Sequence, residues 1–329
     1  MADVVVSLFS LVLLCMAAGA QGRKTLRLGH QWLTSYPVID DNVDGICKTM
    51  VETQGYTCEE HKVTTQDGYI LSLQRMPAGR SGKKADQPPV LLQHGIFSDA
   101  STWLVNSPDE SLGFILADNG FDVWLANVRG TKYSNGHKSL DTNDQAYWDW
   151  SWDELADYDL SAFVQYVYNY TGQTMHYAGH SLDMYWLGIR EFNPNGGGAA
   201  SNFVENICNK LNLNCSNLMS LVTVIKTGKI AKYDYGDEGD NMKHYGQAVP
   251  PLYDMTAIPN EFPLFVTYGG QDLLSDVNDV QVLLNDLQHH DGNKLVVLFK
   301  ENYAHLDFVR AVNANQIIYD PIIAFYKAN

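Results

Sequence analysis

The chain has 329 residues, of which 45% are hydrophobic and 18% are charged, and its formal net charge is −16. This length and apolar content can bury one large core with an insertion, or two smaller cores. The negative charge argues against a nucleic-acid partner, whose phosphates would repel the protein, and the 22 Lys and Arg residues form no long run that would make a basic membrane anchor.

An apolar run near the N-terminus, residues 4–16, has the length of the hydrophobic region of a secretory leader. Ala18-Gly19-Ala20 offers the small residues that a signal peptidase accepts, so we expect residues 1–20 to be a signal peptide that is removed. The run is too short to span a bilayer, and no transmembrane segment is expected in the mature chain. A buried N-terminal helix is the alternative, because Asp3 stands where a leader usually has a basic residue.

Short apolar runs that end in turn residues predict the strands of a mostly parallel sheet flanked by helices, an α/β fold class. One of these runs ends in His94-Gly95, whose exit loop can offer a backbone N–H to an oxyanion. Apolar residues at helical spacing predict an amphipathic helix over residues 152–168. The predicted strands lie at 62–76, 90–95, 121–127, 175–178, 264–268 and 295–299, and a closing helix is predicted at 321–327.

The sequence Gly179-His180-Ser181-Leu182-Asp183 differs in its last residue from the G-x-S-x-G turn that exposes a serine nucleophile between a strand and a helix. Gly179 supplies the small residue that the tight turn requires. Asp183 stands where the second glycine belongs, and it adds bulk and negative charge close to the place where an oxyanion would form. Taken alone the pattern is weak, and a surface turn that contains a serine is the alternative.

Two later residues complete the order Ser, Asp, His. Asp272 follows a buried-strand pattern and two glycines, and His305 follows the predicted strand at 295–299. Each of the three lies at the carboxyl end of a predicted strand, in the order that the α/β-hydrolase fold uses. Asp272 could instead cap a helix that begins near Leu273, and His305 could be an ordinary loop histidine. We predict that Ser181, Asp272 and His305 form a catalytic triad.

Several longer blocks accompany these three residues: Gly55-Tyr56, Glu59-Glu60-His61, Gln93-His94-Gly95, residues 122–130, Ser151-Trp152-Asp153-Glu154, residues 233–236 and His244-Tyr245-Gly246-Gln247. They resemble the acid lipase family, the gastric, lysosomal and plant triacylglycerol lipases, over nearly everything after residue 30. The resemblance implies an α/β-hydrolase fold and hydrolysis of carboxylic esters of neutral lipids through an acyl-enzyme, at a lipid–water interface. It implies oxyanion donors at the backbone N–H groups of Ile96 and Leu182, and neither a metal nor an organic cofactor.

The resemblance also predicts how the chain is organised. Residues 21–60 form an N-terminal segment, residues 61–190 and 256–329 the two parts of the hydrolase core, and residues 191–255 a helical cap. Only residues 182–190 stand between the predicted nucleophile and cap-like sequence, where the fold has a long helix and another core strand. A second join lies at residues 220–226, where two family segments that are normally separated meet directly.

We therefore expect a truncated cap and a sheet without one central strand. The loss would leave either unpaired backbone groups or a direct pairing of the neighbouring strands, which would shift the acid by about 4.8 Å. The alternative function is a catalytically impaired or inactive secreted variant that acts at most as an apolar-ligand binding protein.

Removal of the leader would leave four cysteines in two close pairs, which is typical of an oxidising compartment. We predict a Cys208–Cys215 disulfide and a Cys47–Cys58 disulfide, with free buried thiols as the alternative. Sequons at Asn169 and Asn214 predict N-glycosylation. These features indicate the secretory pathway, with the mature protein outside the cell or in the lumen of a lysosome or vacuole.

Two polar clusters contain side chains of the kinds that bind metal ions. His289-His290-Asp291 has no further ligand at metal-binding spacing, so a solvated turn is predicted there. Residues 237–241 have calcium-like oxygens without the spaced pattern of a calcium loop, so an acidic loop is predicted. We predict no metal site.

Overall fold

The computed structural model describes residues 4–9, 45–95, 98–181, 231–235, 237–272, 275 and 277–329. Within these ranges the strands join into one sheet. The strands are β1 Val4–Phe9, β2 Glu59–Thr64, β3 Tyr69–Met76, β4 Gln87–Gln93, β5 Phe121–Asn127, β6 Gly136–His137, β7 Met175–His180, β8 Leu264–Gly269 and β9 Leu295–Lys300. Their spatial order is β2-β3-β5-β4-β7-β1-β8-β9, and β6 pairs with β3.

Most neighbouring strands run parallel. β4 pairs in parallel with β5 and β7, and β8 pairs in parallel with β9. β2, β3 and β6 add antiparallel pairings at one side of the sheet. Parallel strands end at the same edge, so the loops that follow β4, β7, β8 and β9 come together there. The predicted fold class, an α/β-hydrolase fold with a mostly parallel sheet, is confirmed.

Seven α-helices lie in the described part of the chain: α1 Leu112–Asp118, α2 Trp152–Glu154, α3 Ser161–Thr171, α4 Glu238–Tyr245, α5 Val277–Asp286, α6 Asp307–Arg310 and α7 Asp320–Ala328. The helix predicted over 152–168 is continuous in position but changes geometry, because a π-helical stretch, Leu155–Leu160, joins α2 to α3. Ser151 begins it with a capping box: its hydroxyl accepts the Asp153 N–H, and the Glu154 carboxylate accepts the Ser151 N–H at 2.6 Å. The predicted closing helix corresponds to α7.

The core lies on both faces of the sheet. Leu92 of β4 belongs to one apolar cluster, with α1 and α7, whereas the adjacent Leu91 belongs to another, with α3. The same alternation separates Val123 from Trp124 on β5. Successive side chains of a strand point to opposite faces, so a strand that is apolar throughout is covered on both sides. Apolar side chains therefore cover β4 and β5 on both faces of the sheet.

The first part of the apolar N-terminal run, Val4–Phe9, lies inside the sheet as β1. It pairs in parallel with β7 along its whole length and with β8 from Val6 to Phe9. β1 therefore occupies the position from which a strand was expected to be missing. The expected gap and the expected direct pairing are both wrong, because the backbone groups of β7 and β8 are paired through β1. The alternative of an N-terminal helix does not hold for residues 4–9, and removal of residues 1–20 stays a prediction.

The predicted disulfide between Cys47 and Cys58 is present, with a Cα–Cα distance of 5.3 Å. Asn169, one predicted glycosylation site, is exposed on α3. Cys208, Cys215, Asn214 and most of the predicted cap lie outside the described residues. Over the described ranges, no helix is both long enough and apolar enough to cross a membrane.

Candidate active site

Ser181 directly follows β7 and has a backbone φ of +70°. Among the described residues it is the one residue other than glycine in this left-handed region, which is strained for a residue with a Cβ. A sharp turn of this kind lifts the serine of a nucleophile elbow out of its strand. The backbone at Ser181 thus has the conformation that the sequence pattern predicts.

Gly95, at the beginning of the loop after β4, leaves room for Ser181. A Cβ built on Gly95 would lie 2.5 Å from the Ser181 Cβ and 2.9 Å from its Oγ, which no real side chain permits. His94 fixes the same turn, since its Nδ1 donates to the Gly95 carbonyl oxygen at 2.7 Å and its Nε2 accepts the Val128 N–H at 3.2 Å. Burial lowers the pKa of His94, which keeps the ring neutral, as this pair of bonds requires.

Two glycines at the end of β8 allow the loops that carry Asp272 and His305 to pack together. A Cβ on Gly269 would collide with the Tyr303 carbonyl oxygen, and a Cβ on Gly270 would lie 2.6 Å from that of Glu301. In this close approach the Gly270 N–H donates to the Lys300 carbonyl at 2.9 Å. The loop after β9 is thereby held against the loop after β8.

The three predicted triad residues come together at this edge of the sheet. His305 Nε2 lies 3.2 Å from Ser181 Oγ, within hydrogen-bond distance. His305 Nδ1 lies 3.7 Å from Asp272 Oδ2, longer than a hydrogen bond, while Asp272 Oδ1 accepts the Ser275 N–H at 2.9 Å. Asp272 therefore accepts a backbone N–H with one oxygen and turns the other oxygen toward His305.

Burial controls the charge of the histidine. The side chain of His305 is 14% exposed and that of Asp272 is fully buried. Burial lowers the pKa of His305 to about 3, because a desolvated imidazolium is unfavourable. A neutral imidazole has a lone pair that can accept the proton of a hydroxyl, so the arrangement is suited to general-base activation of Ser181.

His180, to which no sequence pattern assigns a role, lies against the loop that carries His305. His180 Nε2 lies 3.1 Å from the carbonyl oxygen of His305, and the two imidazole centroids are 5.1 Å apart. The nucleophile motif accepts any residue at this position, so its pattern holds no signal for such a contact. Of the other predicted site residues, Ile96 and Leu182 lie outside the described ranges.

The part of the chain that the structure describes contains no group of three or more His, Cys, Asp or Glu side chains placed to hold a metal ion. The polar residues at the sheet edge are instead arranged as a hydroxyl, an imidazole and a carboxylate. Such a set is suited to nucleophilic catalysis.

Comparison with known proteins gives consistent results. Residues 47–107 match the family described as the partial alpha/beta-hydrolase lipase region. The chain is 37% identical to triacylglycerol lipase 2 of Arabidopsis thaliana, over 86% of this chain and 88% of that protein. It is 33% identical to the lipase lipl-1 of Caenorhabditis elegans (82% and 88% covered) and 30% identical to human gastric triacylglycerol lipase (84% and 89%).

Two further findings come from these comparisons. The alignment with the Arabidopsis lipase runs over 367 positions although it covers 86% of 329 residues, so this chain lacks several dozen residues that its relative has. Among solved structures, an esterase from Pyrococcus furiosus superposes with a TM-score of 0.54 at 16% identity, over 84% of this chain and 93% of that one. This second likeness shows the fold alone.

Proposed function

We propose that this chain, which belongs to the acid lipase family, hydrolyses carboxylic esters of neutral lipids with Ser181 as the nucleophile. The observation that carries the proposal is the 3.2 Å contact between His305 Nε2 and Ser181 Oγ, made at a serine in a left-handed turn. The relatives named as triacylglycerol lipases support an ester of a neutral lipid, triacylglycerol or sterol ester, as the substrate class.

The proposed reaction has two halves. In the first, Ser181 Oγ attacks the ester carbonyl carbon while His305 Nε2 takes the hydroxyl proton, and the proton then passes to the leaving alcohol as the acyl-enzyme forms. In the second, His305 takes a proton from water, the hydroxide attacks the acyl carbon, and Ser181 leaves with that proton as the fatty acid departs. The Asp272 carboxylate orients the imidazole and stabilises it when charged.

The proposed oxyanion donors are the backbone N–H groups of Ile96 and Leu182, by resemblance to the family. Gly95, the residue before Ile96, supports the first of these, because a Cβ on Gly95 would lie 2.5 Å from the Ser181 Cβ. A donor pair aimed at the developing negative charge contributes about 3 kcal/mol or more to such reactions.

We also propose that the protein works in the secretory pathway, outside the cell or in the lumen of a lysosome or vacuole. The Cys47–Cys58 disulfide supports this, since such bonds persist in oxidising compartments. Exposure of Asn169 is compatible with glycosylation there. The cap at 191–255, the Cys208–Cys215 disulfide and glycosylation of Asn214 belong to the same proposal. So does the signal peptide at 1–20, whose removal would take β1 out of the sheet.

The test is covalent labelling with a fluorophosphonate, followed by peptide mapping. We expect the label on Ser181, slow hydrolysis of a short soluble ester, and loss of both in Ser181→Ala. Ser161→Ala, at an exposed serine on α3, is the matched control and should keep both. If Ser181→Ala retains the esterase rate, Ser181 is not the nucleophile, and a chain that takes no label at all is the binding protein of the alternative interpretation.

A further inference from the structure

Consecutive residues of the chain contact His305 at two different places. Ser181 Oγ lies 3.2 Å from the imidazole Nε2, and His180 Nε2 lies 3.1 Å from the backbone carbonyl oxygen of the same residue. His180 is 3% exposed and is the last residue of β7, so its backbone is fixed by the sheet. Its ring also lies edge-on to Trp103, with centroids 6.4 Å apart.

We propose that His180 is a positioning residue for the proposed ester hydrolysis, whose Nε2–H holds the backbone of His305 so that its imidazole meets Ser181. The inference rests on the proposed function. His180, the residue before the nucleophile, thus positions the base His305, and it does so through a hydrogen bond to the main chain of His305.

The chemistry of the contact fixes the protonation of His180. A carbonyl oxygen can only accept, so Nε2 must carry the hydrogen and Nδ1 must be without one. Burial keeps the ring neutral, since it lowers the pKa of His180 to about 3. The donor is therefore present throughout the range in which His305 can act as a base.

The loop that carries His305 has a second support on its other side. The Ala304 N–H donates to the Asp307 carboxylate at 2.7 Å, which fixes the residue before His305. The hydrogen bond from His180 fixes the carbonyl group of His305. With both in place the chain is held on either side of His305, at the peptide between Tyr303 and Ala304 and at the carbonyl of His305 itself.

A short and rigid connection between nucleophile and base is useful because reactivity depends steeply on their separation. A displacement of about 1 Å can cost on the order of 100-fold in rate. His180 and Ser181 are joined by one peptide bond, so a shift of the elbow carries the anchor of the base with it. The pair then moves together.

Two substitutions separate the hydrogen bond from the bulk of the ring. His180→Gln keeps an amide N–H at the distance of Nε2, and His180→Phe keeps a ring but removes the donor. Fluorophosphonate titration counts the active sites, and hydrolysis of a soluble ester gives the rate per site. In His180→Phe this rate should fall on the order of 10- to 100-fold with KM unchanged. In His180→Gln it should stay within about threefold of the native rate.

A purely structural role would lower the thermal midpoint and the number of titratable sites but leave the rate per site unchanged, and that outcome would overturn the proposal. Equal loss in both variants would also overturn it, because Gln retains the donor.

Imidazole nitrogen NMR of the native chain tests the contact without relying on catalysis. We expect a histidine in the Nε2–H form from pH 5 to 8, whose signal is absent from both variants. An Nδ1–H form of His180, or titration within that range, would overturn the inference even in an active enzyme. The expected signal in a chain that takes no label at Ser181 would confirm the hydrogen bond and reject the proposed function.

Discussion

Gly95 is the residue whose replacement should disturb the site most directly. In Gly95→Ala the new Cβ would lie 2.5 Å from the Ser181 Cβ, so the elbow or the loop after β4 must move. We expect ester hydrolysis to fall on the order of 100-fold, with about 1–3 kcal/mol of lost stability. Gly292→Ala, where nothing lies within 4 Å, is the control and should be neutral. Full activity in Gly95→Ala would show that the loop is free to retreat.

His176 should make the fold sensitive to acid. It is buried on β7, stacks on Tyr326 with centroids 4.4 Å apart, and its ring nitrogens make no hydrogen bond to the residues the structure describes. Burial lowers the pKa of His176 from 6.5 to about 4. On acidification the unfolded chain therefore binds a proton at His176 near pH 6.5, whereas the folded chain binds it only near pH 4. Stability should therefore fall as pH drops through this window, by up to about 3 kcal/mol.

His176→Phe should remove that part of the acid sensitivity. Thermal unfolding midpoints of the native chain and the variant, measured at pH 7.5 and pH 5, give the comparison. The exposed His289→Phe should change neither value, and a native-like acid response in His176→Phe would place the sensitive group elsewhere.

For individual residues, the sequence predicted the site positions that belong to a local motif. It did not predict the contacts between residues that lie far apart in the chain. Ser181, Asp272 and His305 each follow a recognisable strand, so their order along the chain was sufficient to single out three side chains that the structure brings to one edge of the sheet. The close contact of Gly95 with Ser181 and the bond from His180 to His305 join residues far apart in sequence, and a motif records neither.

Among the secondary-structure elements, β1 is the one whose disruption should lower the stability of the sheet most. Val6 pairs with Tyr177 on one side and with Leu264 on the other, so its backbone is part of two ladders. In a chain that keeps residues 1–20, Val6→Pro removes a donor in mid-strand and should lower the thermal midpoint and the labelling of Ser181, whereas Val6→Ile should leave both unchanged. Stable, fully labelled protein that begins at Gln21 would show that the sheet does not depend on β1.

The segment before β8 is tied to α2 through Asp153. The Tyr245 hydroxyl lies 2.7 Å from an Asp153 oxygen and 2.7 Å from the Tyr233 carbonyl oxygen, and Tyr253 contacts the other carboxyl oxygen at 3.1 Å. One hydroxyl hydrogen cannot serve two acceptors, so both short contacts are satisfied when Asp153 carries the proton. Burial raises the pKa of Asp153 and favours that form.

A raised folded-state pKa means that the folded chain holds this proton longer than the unfolded chain. Stability should therefore decrease as pH rises from about 3.8 through the folded-state pKa. Asp153→Asn keeps a donor and should be insensitive to this change, while Asp153→Ala should loosen the segment. Amide hydrogen exchange over residues 231–257 at pH 5 and pH 8 is the measurement, and equal exchange in all three proteins would contradict the assignment.

The elements themselves were predicted where apolar runs end in turn residues. β4, β5, β7, β8 and β9 all correspond to predicted strands. β1 was not predicted, because an apolar run beside small residues fits a secretory leader as well as a strand, and the partners that select the strand lie in distant parts of the chain.

The charge of the whole molecule should govern its behaviour at lipid surfaces. With a net charge of −16, the protein should approach neutral lipid more readily than anionic lipid. Adding anionic phospholipid to an emulsion of neutral ester should lower the hydrolysis rate at low salt, and about 0.5 M salt should restore it through screening. The rate on a soluble ester is the control, and an anionic emulsion that raises the rate would indicate a local basic surface.

For the molecule as a whole, the fold class followed from the sequence but the strand order did not. Alternating strands and helices with glycine-rich ends specify a parallel sheet and the edge at which the site lies. Which strand pairs with both β7 and β8 is decided by tertiary packing, and local sequence patterns do not show it.

The position of β1 has a consequence for how the protein is made. In β1, Val4 pairs with Met175 and Val6 pairs with Leu264, and both partners belong to strands that are synthesised much later. Pairings of such large sequence separation form slowly, because a long loop must close before any contact stabilises it. The nascent chain must therefore carry an unpaired apolar segment through most of translation, in a state that favours aggregation or chaperone binding. In a chain that keeps residues 1–20, β1 is synthesised before both of its partner strands and must wait for them to pair.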